Sequence, residues 1–314
     1  MEDVLVLGTI GRERVHSFGT TSTVVPGGTA HHAIEAILRA GVTRPLLVSI
    51  RGNDLSEAEI VDQLSAPVDT FALHQRTDLP SFYWEAEYKE SFEESTTIAL
   101  ENRLLDGFMP DWNALGKRFP SIRYCYLAAF DPNVQISCAR YFGNTFVVSE
   151  TLEYWIERDR QGVLDLARES NGFVVTEREF RALWGFAARP DMPLTHVADV
   201  LQQCSLDFLI ITFADRGSRV FQSEGTFIMP ALACKTVDST GAGNAFSGGI
   251  VGYLAQHGVY ERARLPDAVS FGTGLASLQV RDFGNRALRM ASHSEIEDLR
   301  QEARNGIQWL NLGG

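Results

Sequence analysis

Val237-Asp238-Ser239-Thr240-Gly241-Ala242-Gly243-Asn244-Ala245-Phe246-Ser247-Gly248-Gly249 is the stretch on which the reading of this chain depends, with five glycines between positions 241 and 252. Gly241 and Gly243 let a loop present successive backbone N–H groups. The helix expected over Asn244 to Gln256 adds unsatisfied first-turn amides and the positive end of its dipole. A phosphate is favoured at such a point. Gly248, Gly249 and Gly252 fall inside that helix, each at a cost of roughly 1 kcal/mol against alanine. That cost asks for close approach of another backbone or of a ligand. The spacing alone also admits a glycine-rich turn capping an ordinary packed helix.

Working outward, strands and helices alternate. Val4-Leu5-Val6-Leu7-Gly8 and Pro45 to Ile50 are continuous apolar runs of the kind buried on both faces of a parallel sheet. Tyr124 to Ala129, Thr145 to Ser149, Gly172 to Val175 and Leu206 to Thr212 read as further strands. Helices are expected over Ala30 to Gly41, Ser56 to Leu64, Gln161 to Glu169, Glu177 to Trp184, Asp267 to Val280 and Ser292 to Arg304. Arg219 to Phe221 and Phe227 to Met229 read as a hairpin around Gly225. From Ser81 to Leu104 the period changes to two: Phe82, Trp84, Ala86 and Tyr88 alternate with polar neighbours, and Ser95 to Leu100 returns after a turn at 89–94. The expectation is an α/β fold with a doubly wound, mostly parallel sheet flanked by helices, and a small separate β lid.

The 314 residues suit one large domain with an appended flap. A formal net charge of −12 argues against a duplex-binding or anionic-membrane surface. No apolar run reaches the ~18 residues that a spanning helix needs. Cys125, Cys138, Cys204 and Cys234 form no C-x-x-C pair and read as reduced thiols. With an acidic rather than basic N-terminus, a cytoplasmic protein is expected.

Asp238 to Phe246 resembles the C-terminal signature of the ribokinase-like (PfkB) carbohydrate kinase family, Asp-Thr-Thr-Gly-Ala-Gly-Asp-Ala-Phe. Gly27-Gly28-Thr29-Ala30-His31-His32-Ala33, ending at Gly41, resembles the family's glycine-pair signature, and Gly52-Asn53-Asp54 its Gly-Asp-Asp loop. Thr212 to Gly217 resembles the strand end and glycine beside the nucleotide. Ala268 to Gly284 resembles the helix and loop that close over adenine. The matches run in order over nearly the whole chain, so one ribokinase-like domain spanning 1–314 is expected, with lid insertions at about 12–25 and 81–103.

The resemblance implies ATP and Mg2+ as cofactors, with a monovalent cation as an added expectation, and transfer of the γ-phosphate to a CH2OH of a sugar, nucleoside or polyol. Gly241, Ala242 and Gly243 would form the anion hole. Glu13, Gly27, Gly28, His32 and Asp238 would bind the acceptor. Thr212, Gly217, Thr240 and Gly272 would border the nucleotide, and Glu179 would organise Mg2+ through water. Glu13 also reads as an exposed lid glutamate, Glu179 as a first-turn glutamate facing the helix dipole, and His32 as a packed histidine. A metal pair of His31 and His32 is disfavoured because adjacent helix residues diverge.

Three positions depart from the family pattern. Asn244 stands where the catalytic aspartate is expected, and an amide has no useful basicity. Thr176 replaces the asparagine of Asn-x-x-Glu, and His32 replaces an asparagine that contacts a sugar hydroxyl. Two readings follow: a kinase in which Asp54, Glu13 or water takes the proton, or a catalytically impaired binder of nucleotide or sugar. Tyr83, Trp84, Tyr88 and His32 fit an aromatic acceptor pocket or a packed lid core. A homodimer through the Phe82, Trp84 and Ala86 face is the partner reading; that face equally suits packing on the core.

Overall fold

The structure, a computed structural model, describes residues 3–89, 91–92, 95–185, 194–223, 225–258 and 260–310. Its strands are β1 (Asp3–Leu7), β2 (Gly11–Ser17), β3 (Thr20–Thr21), β4 (Val25–Gly27), β5 (Leu46–Arg51), β6 (Asp69–Gln75), β7 (Phe82–Tyr88), β8 (Thr96–Glu101), β9 (Ile122–Leu127), β10 (Phe146–Glu150), β11 (Gly172–Thr176), β12 (Phe208–Thr212), β13 (Ser218–Gln222), β14 (Gly225–Met229) and β15 (Gln308–Leu310). Its helices are α1 (Thr29–Arg39), α2 (Glu57–Val61), α3 (Trp112–Arg118), α4 (Pro132–Tyr141), α5 (Glu153–Arg168), α6 (Glu177–Trp184), α7 (Leu194–Cys204), α8 (Ala242–Gln256), α9 (Leu265–Gln279), α10 (Arg286–Met290) and α11 (His293–Asn305).

Among the described residues the larger sheet runs in the order β15-β14-β13-β12-β11-β10-β9-β1-β5-β6. Neighbours from β12 to β6 are parallel, and β13, β14 and β15 continue antiparallel. Successive side chains of a strand point to opposite faces, and β1 divides its residues accordingly. Leu5 and Leu7 join a core with Leu115, Val134, Val163 and Phe180 of α3 to α6. Val4 and Val6 join the other core, with Ile34, Ile250, Leu254 and Val269 of α1, α8 and α9. The chain winds one way from β1 through β5 to β6 and then the other way from β9. The sheet therefore reverses between β1 and β9, and a crevice opens past the strand ends there.

The second sheet has the order β3-β2-β7-β8, with β4 against β2. Trp84 pairs with Leu100, and a register shift follows between Glu85 and Ala86. This lid is tied to the glycine-rich segment at two points: Ser17 donates to the Val237 carbonyl at 2.7 Å and Ser239 to the Phe92 carbonyl at 2.7 Å. The turn expected at 89–94 lies partly outside the described residues.

Several elements differ from the sequence expectation. The edge strand β6 buries only Ala72 fully along one side, so its alternation is too weak to read. Helix α5 begins at Glu153 rather than Gln161, because Asp159 (φ −150°, ψ 69°) breaks it into two pieces. Helix α2 stops at Val61 instead of Leu64. Helices α3 and α4 were not expected, although Asp111 caps one and Asp131 with Pro132 the other.

The glycines inside α8 serve packing. A Cβ at Gly248 would meet the Ala33 carbonyl oxygen at 2.6 Å, and one at Gly252 would meet Ala40 Cβ at 2.7 Å, both on α1 or its cap. Gly249 faces Gly272 Cα at 3.0 Å on α9. Three helices thus approach with backbone against backbone.

Candidate active site

The glycine-rich segment enters α8 through a tight turn. Asp238, 2% exposed, accepts the Thr240 N–H at 2.9 Å, and the Ala242 N–H turns onto the Ser239 carbonyl at 3.2 Å. Gly241 caps the helix with φ +77°, a conformation that favours glycine. A side chain there would collide with the His32 ring. Gly243 is the opposite case: a Cβ at this position would meet nothing within 4 Å. No side chain caps α8 and no acid stands in its first turn, whereas Ser56, Thr176 and Ser292 cap α2, α6 and α11. First-turn amides lack intrahelical acceptors, so this end can receive an anion from the open Gly243 side.

Glu13, Gly27, Gly28 and His32 meet beside that turn. Glu13 accepts the Gly28 N–H at 2.7 Å and stands 3.0 Å from His32 Nε2. The other ring nitrogen, Nδ1, lies 2.6 Å from Asn285 Oδ1. Asn285 Nδ2 donates to the His31 carbonyl at 3.1 Å, which orients its oxygen toward His32. Nε2 faces the Glu13 carboxylate, and Nδ1 faces Asn285 Oδ1 with Gln279 Nε2 farther off at 3.3 Å, an arrangement that favours the doubly protonated ring. Burial opposes this charge most strongly, but the Glu13 carboxylate, the Asn285 hydrogen bond and the Asp238 charge together raise the His32 pKa. Burial likewise pushes against the Glu13 carboxylate, and the imidazolium and the Gly28 N–H hold its pKa below the ordinary value. Burial and the neighbouring positive ring push His31 down to about 3, so it is neutral and accepts from Asn285.

Glu13 is 6% exposed and His32 1%. The exposed-lid reading of Glu13 is thus corrected: register against β4 and β7 turns it inward toward Gly28. Burial also pushes Asp238, beside this pair, up to about 6.

A second polar cluster lies behind Asn244. Its Nδ2 donates to Glu150 Oε2 at 2.9 Å, which also accepts the Tyr126 hydroxyl at 2.5 Å; the Ser247 hydroxyl donates to Oε1. Burial pushes the Glu150 carboxyl up to about 7. Glu179 is also pushed up to about 7 by burial, with the Glu150 charge adding to it. Glu179 completes a capping box: it accepts the Thr176 N–H at 2.8 Å while Thr176 Oγ1 accepts the Glu179 N–H at 3.2 Å. Thr176 therefore has a structural task of its own. Among the described residues no group of three or more His, Cys, Asp or Glu side chains could hold a metal. Mg2+ carried on nucleotide phosphates keeps several waters and needs only one or two carboxylates; Glu179 and Glu150 fit that outer role.

Of the positions expected beside the nucleotide, Thr240 lies on the loop, with its hydroxyl 3.3 Å from Tyr88 and its carbonyl accepting Gln279. Thr212 ends β12 opposite Ser218. Gly217 has φ +87° and would press a side chain into the β14 end. Gly272 sits in the seam of α8 and α9, where a Cβ would collide with the Phe246 backbone. The aromatic quartet divides. Tyr88 and His32 reach the loop, whereas Trp84 bonds Thr97 and Tyr83 bonds Glu85 within the lid. Sequence reasoning missed Glu150, Tyr126, Asn285 and Gln279. Only Glu150 carried a signal, as an acid ending a buried strand at the sheet edge where ligands bind.

The fold is that of the ribokinase-like α/β proteins. It superposes on a nucleoside kinase from Methanocaldococcus jannaschii with a TM-score of 0.76 at 17% identity, over 96% of this chain and 99% of that one. A fructokinase from Vibrio cholerae, solved in a fructose-, ADP- and calcium-bound form, gives a TM-score of 0.77 at 18% identity over 95% and 99%. Residues 137–290, which contain Glu150, Glu179 and the glycine-rich loop, match the family described as pfkB family carbohydrate kinase; this segment is pfkB-family sequence on a ribokinase-like fold. In sequence the chain is similar to inositol 3-kinase from Arabidopsis thaliana, 28% identical over 100 residues, or 32% of this chain and 27% of that protein. Matches to curated relatives span 25 to 41% of their lengths. Among the described residues no helix is long and apolar enough to cross a membrane.

Proposed function

We propose that this chain is an ATP-dependent small-molecule kinase, one catalytic domain with a β lid, that transfers the γ-phosphate to a CH2OH of a sugar, nucleoside or polyol. The observation that carries the reading is the uncapped start of α8, open at Gly243, within the matched pfkB segment. The Gly241 and Gly243 amides, with the Ala242 N–H once it leaves the Ser239 carbonyl, would receive the charge on the transferring phosphoryl group. Glu13, His32 and Asp238 would orient the acceptor, and Thr212, Gly217 and Thr240 the nucleotide. Mg2+, held through water by Glu179, would shield the phosphate charge. The lid, tied to Val237 and Ser239, would exclude water from the crevice. A cytoplasmic location and a homodimer through the lid, whose Ile98 and Leu100 are exposed, belong to the same reading. The test is ADP release with a panel of fructose, ribose, inosine and myo-inositol; no release with any acceptor from protein that still binds ATP sinks it.

A second reading is favoured by one observation, Asn244 in the base position: a binder of nucleotide or sugar that does not turn over. It predicts a thermal shift with ATP and acceptor without ADP release, with release gained by Asn244→Asp.

A further inference from the structure

We propose that Gln279 is a positioning residue for the transfer, fixing the Thr240–Gly241 peptide so that the Gly241 N–H meets the moving phosphoryl group; this rests on the kinase reading above. Gln279 closes α9 and is 1% exposed. Its Nε2 donates to the Thr240 carbonyl at 3.1 Å and to the Gly284 carbonyl at 2.9 Å. Two carbonyl acceptors use both amide hydrogens and assign the nitrogen end of the side chain to that position. Among the described residues this is the one hydrogen bond that the Thr240 carbonyl accepts.

A peptide group is planar and trans, so its C=O and N–H point in opposite directions. With the Thr240 carbonyl turned inward onto Gln279, the Gly241 N–H is turned away from it. Thr240 is held on its other sides as well: its N–H donates to Asp238 at 2.9 Å, and its hydroxyl lies 3.3 Å from that of Tyr88. Gly241 is half-buried. Its carbonyl accepts the Ala245 N–H at 2.8 Å, and a side chain on its Cα would collide with the His32 ring. The edge left open carries the N–H, which has no protein acceptor among the described residues. The Ala242 N–H, by contrast, is bound to the Ser239 carbonyl. Gly241 therefore offers a donor that needs no rearrangement, the kind that stabilises a transition state most.

The loop does not hold this peptide by itself. Glycine restricts its φ little, so the 240–241 peptide can rotate about the Gly241 φ of +77°. Without the glutamine the Thr240 carbonyl would be a part-buried acceptor with no partner, and such groups turn to find one. Any turn of the carbonyl carries the Gly241 N–H with it.

The experiment compares the parent with Gln279→Met, of similar volume but without donors, and Gln279→His, which keeps one ring N–H. Leu254→Ala, a core change at the far end of α8, controls for lost stability. The acceptor is whichever of fructose, ribose, inosine and myo-inositol gives the fastest ADP release. Thermal shifts are measured with Mg2+ and ADP, and again with aluminium fluoride and that acceptor added as an analogue of the transferring phosphoryl group. Gln279→Met is expected to lower kcat by about 10–10²-fold, less than outright loss of such a donor. Both KM values stay within about threefold. The variant keeps the ADP shift and loses the increment from aluminium fluoride, Gln279→His falls between it and the parent, and Leu254→Ala keeps kcat and the increment. The assignment is overturned if Gln279→Met keeps kcat and the increment, or if Leu254→Ala loses them equally, which marks a structural role. In a parent that releases no ADP the increment alone decides. A parent with neither ADP release nor an increment removes the kinase reading together with this one, whereas a parent with both, matched by Gln279→Met, removes only the role of Gln279.

Discussion

The Glu13 carboxylate and the His32 imidazolium stand 3.0 Å apart, both nearly closed off from solvent, so neither can be altered without stranding the other. Breaking a buried pair from one side typically costs ~3–5 kcal/mol. Glu13→Ala is expected to lose that much in denaturant unfolding. Replacing both residues, Glu13→Leu with His32→Leu, is expected to cost less than the single change. Equal losses would mean that the charge is not what matters there.

The two loop glycines separate folding from binding. Gly243 faces open space and α8 tolerates a side chain in its first turn, so Gly243→Val is expected to melt within about 2 °C of the parent, a surface-like change. It should lose the thermal shift with ATP, because the side chain fills the approach of the phosphate. Gly241→Val meets the His32 ring and a φ of +77°, and is expected to destabilise the fold itself. An ATP shift that survives in Gly243→Val removes the anion cradle.

Stability should fall as pH rises from 6.5 to 8. Glu150 and Glu179 have folded pKa values of about 7, above the ordinary 4.5, so the native state holds protons that the unfolded state has already released. Their contribution is fully present below 4.5 and fades as pH rises through 7. Each accounts for about 1 kcal/mol between pH 6.5 and 8. His32, raised above 6.5, acts in the same direction. His31, lowered to about 3, acts oppositely but only below 6.5. Melting temperature across this range, in the parent and in Glu150→Gln/Glu179→Gln, is the measurement; the double variant should show the smaller slope.

Gly272 tests packing against ligand contact. A side chain there collides with the Phe246 backbone across the α8–α9 seam. Gly272→Val is expected to cost about 1–3 kcal/mol by overpacking, with the apparent affinity of the folded protein for ATP unchanged. Full stability with lost ATP affinity would instead favour the nucleotide-contact role.

The central strands were legible because both their faces are buried, which writes a continuous apolar run into the chain. The edge strands β6 and β15 were not: with a half-wet environment they carry no such run. Within the site, the Gly241 to Gly243 turn was legible because its chemistry is local, a positive φ followed by a helix start. Thr176 and Glu179 carry the spacing of a capping box, three residues apart on one turn, but the family pattern marks Thr176 as a departure from Asn-x-x-Glu, and only the structure shows the box.

The sequence by itself determined the alternation of strands and helices, the lid's change of period and the glycine-rich loop at a helix start, since each depends on neighbours a few residues away. Only the tertiary structure decided which buried charges meet. Glu13 reaches His32 across 19 residues, His32 reaches Asn285 across 253, and Asn244 reaches Glu150 across 94. No periodicity encodes contacts at those separations; they arise when the sheet reverses between β1 and β9 and gathers the ends of distant strands against the start of α8.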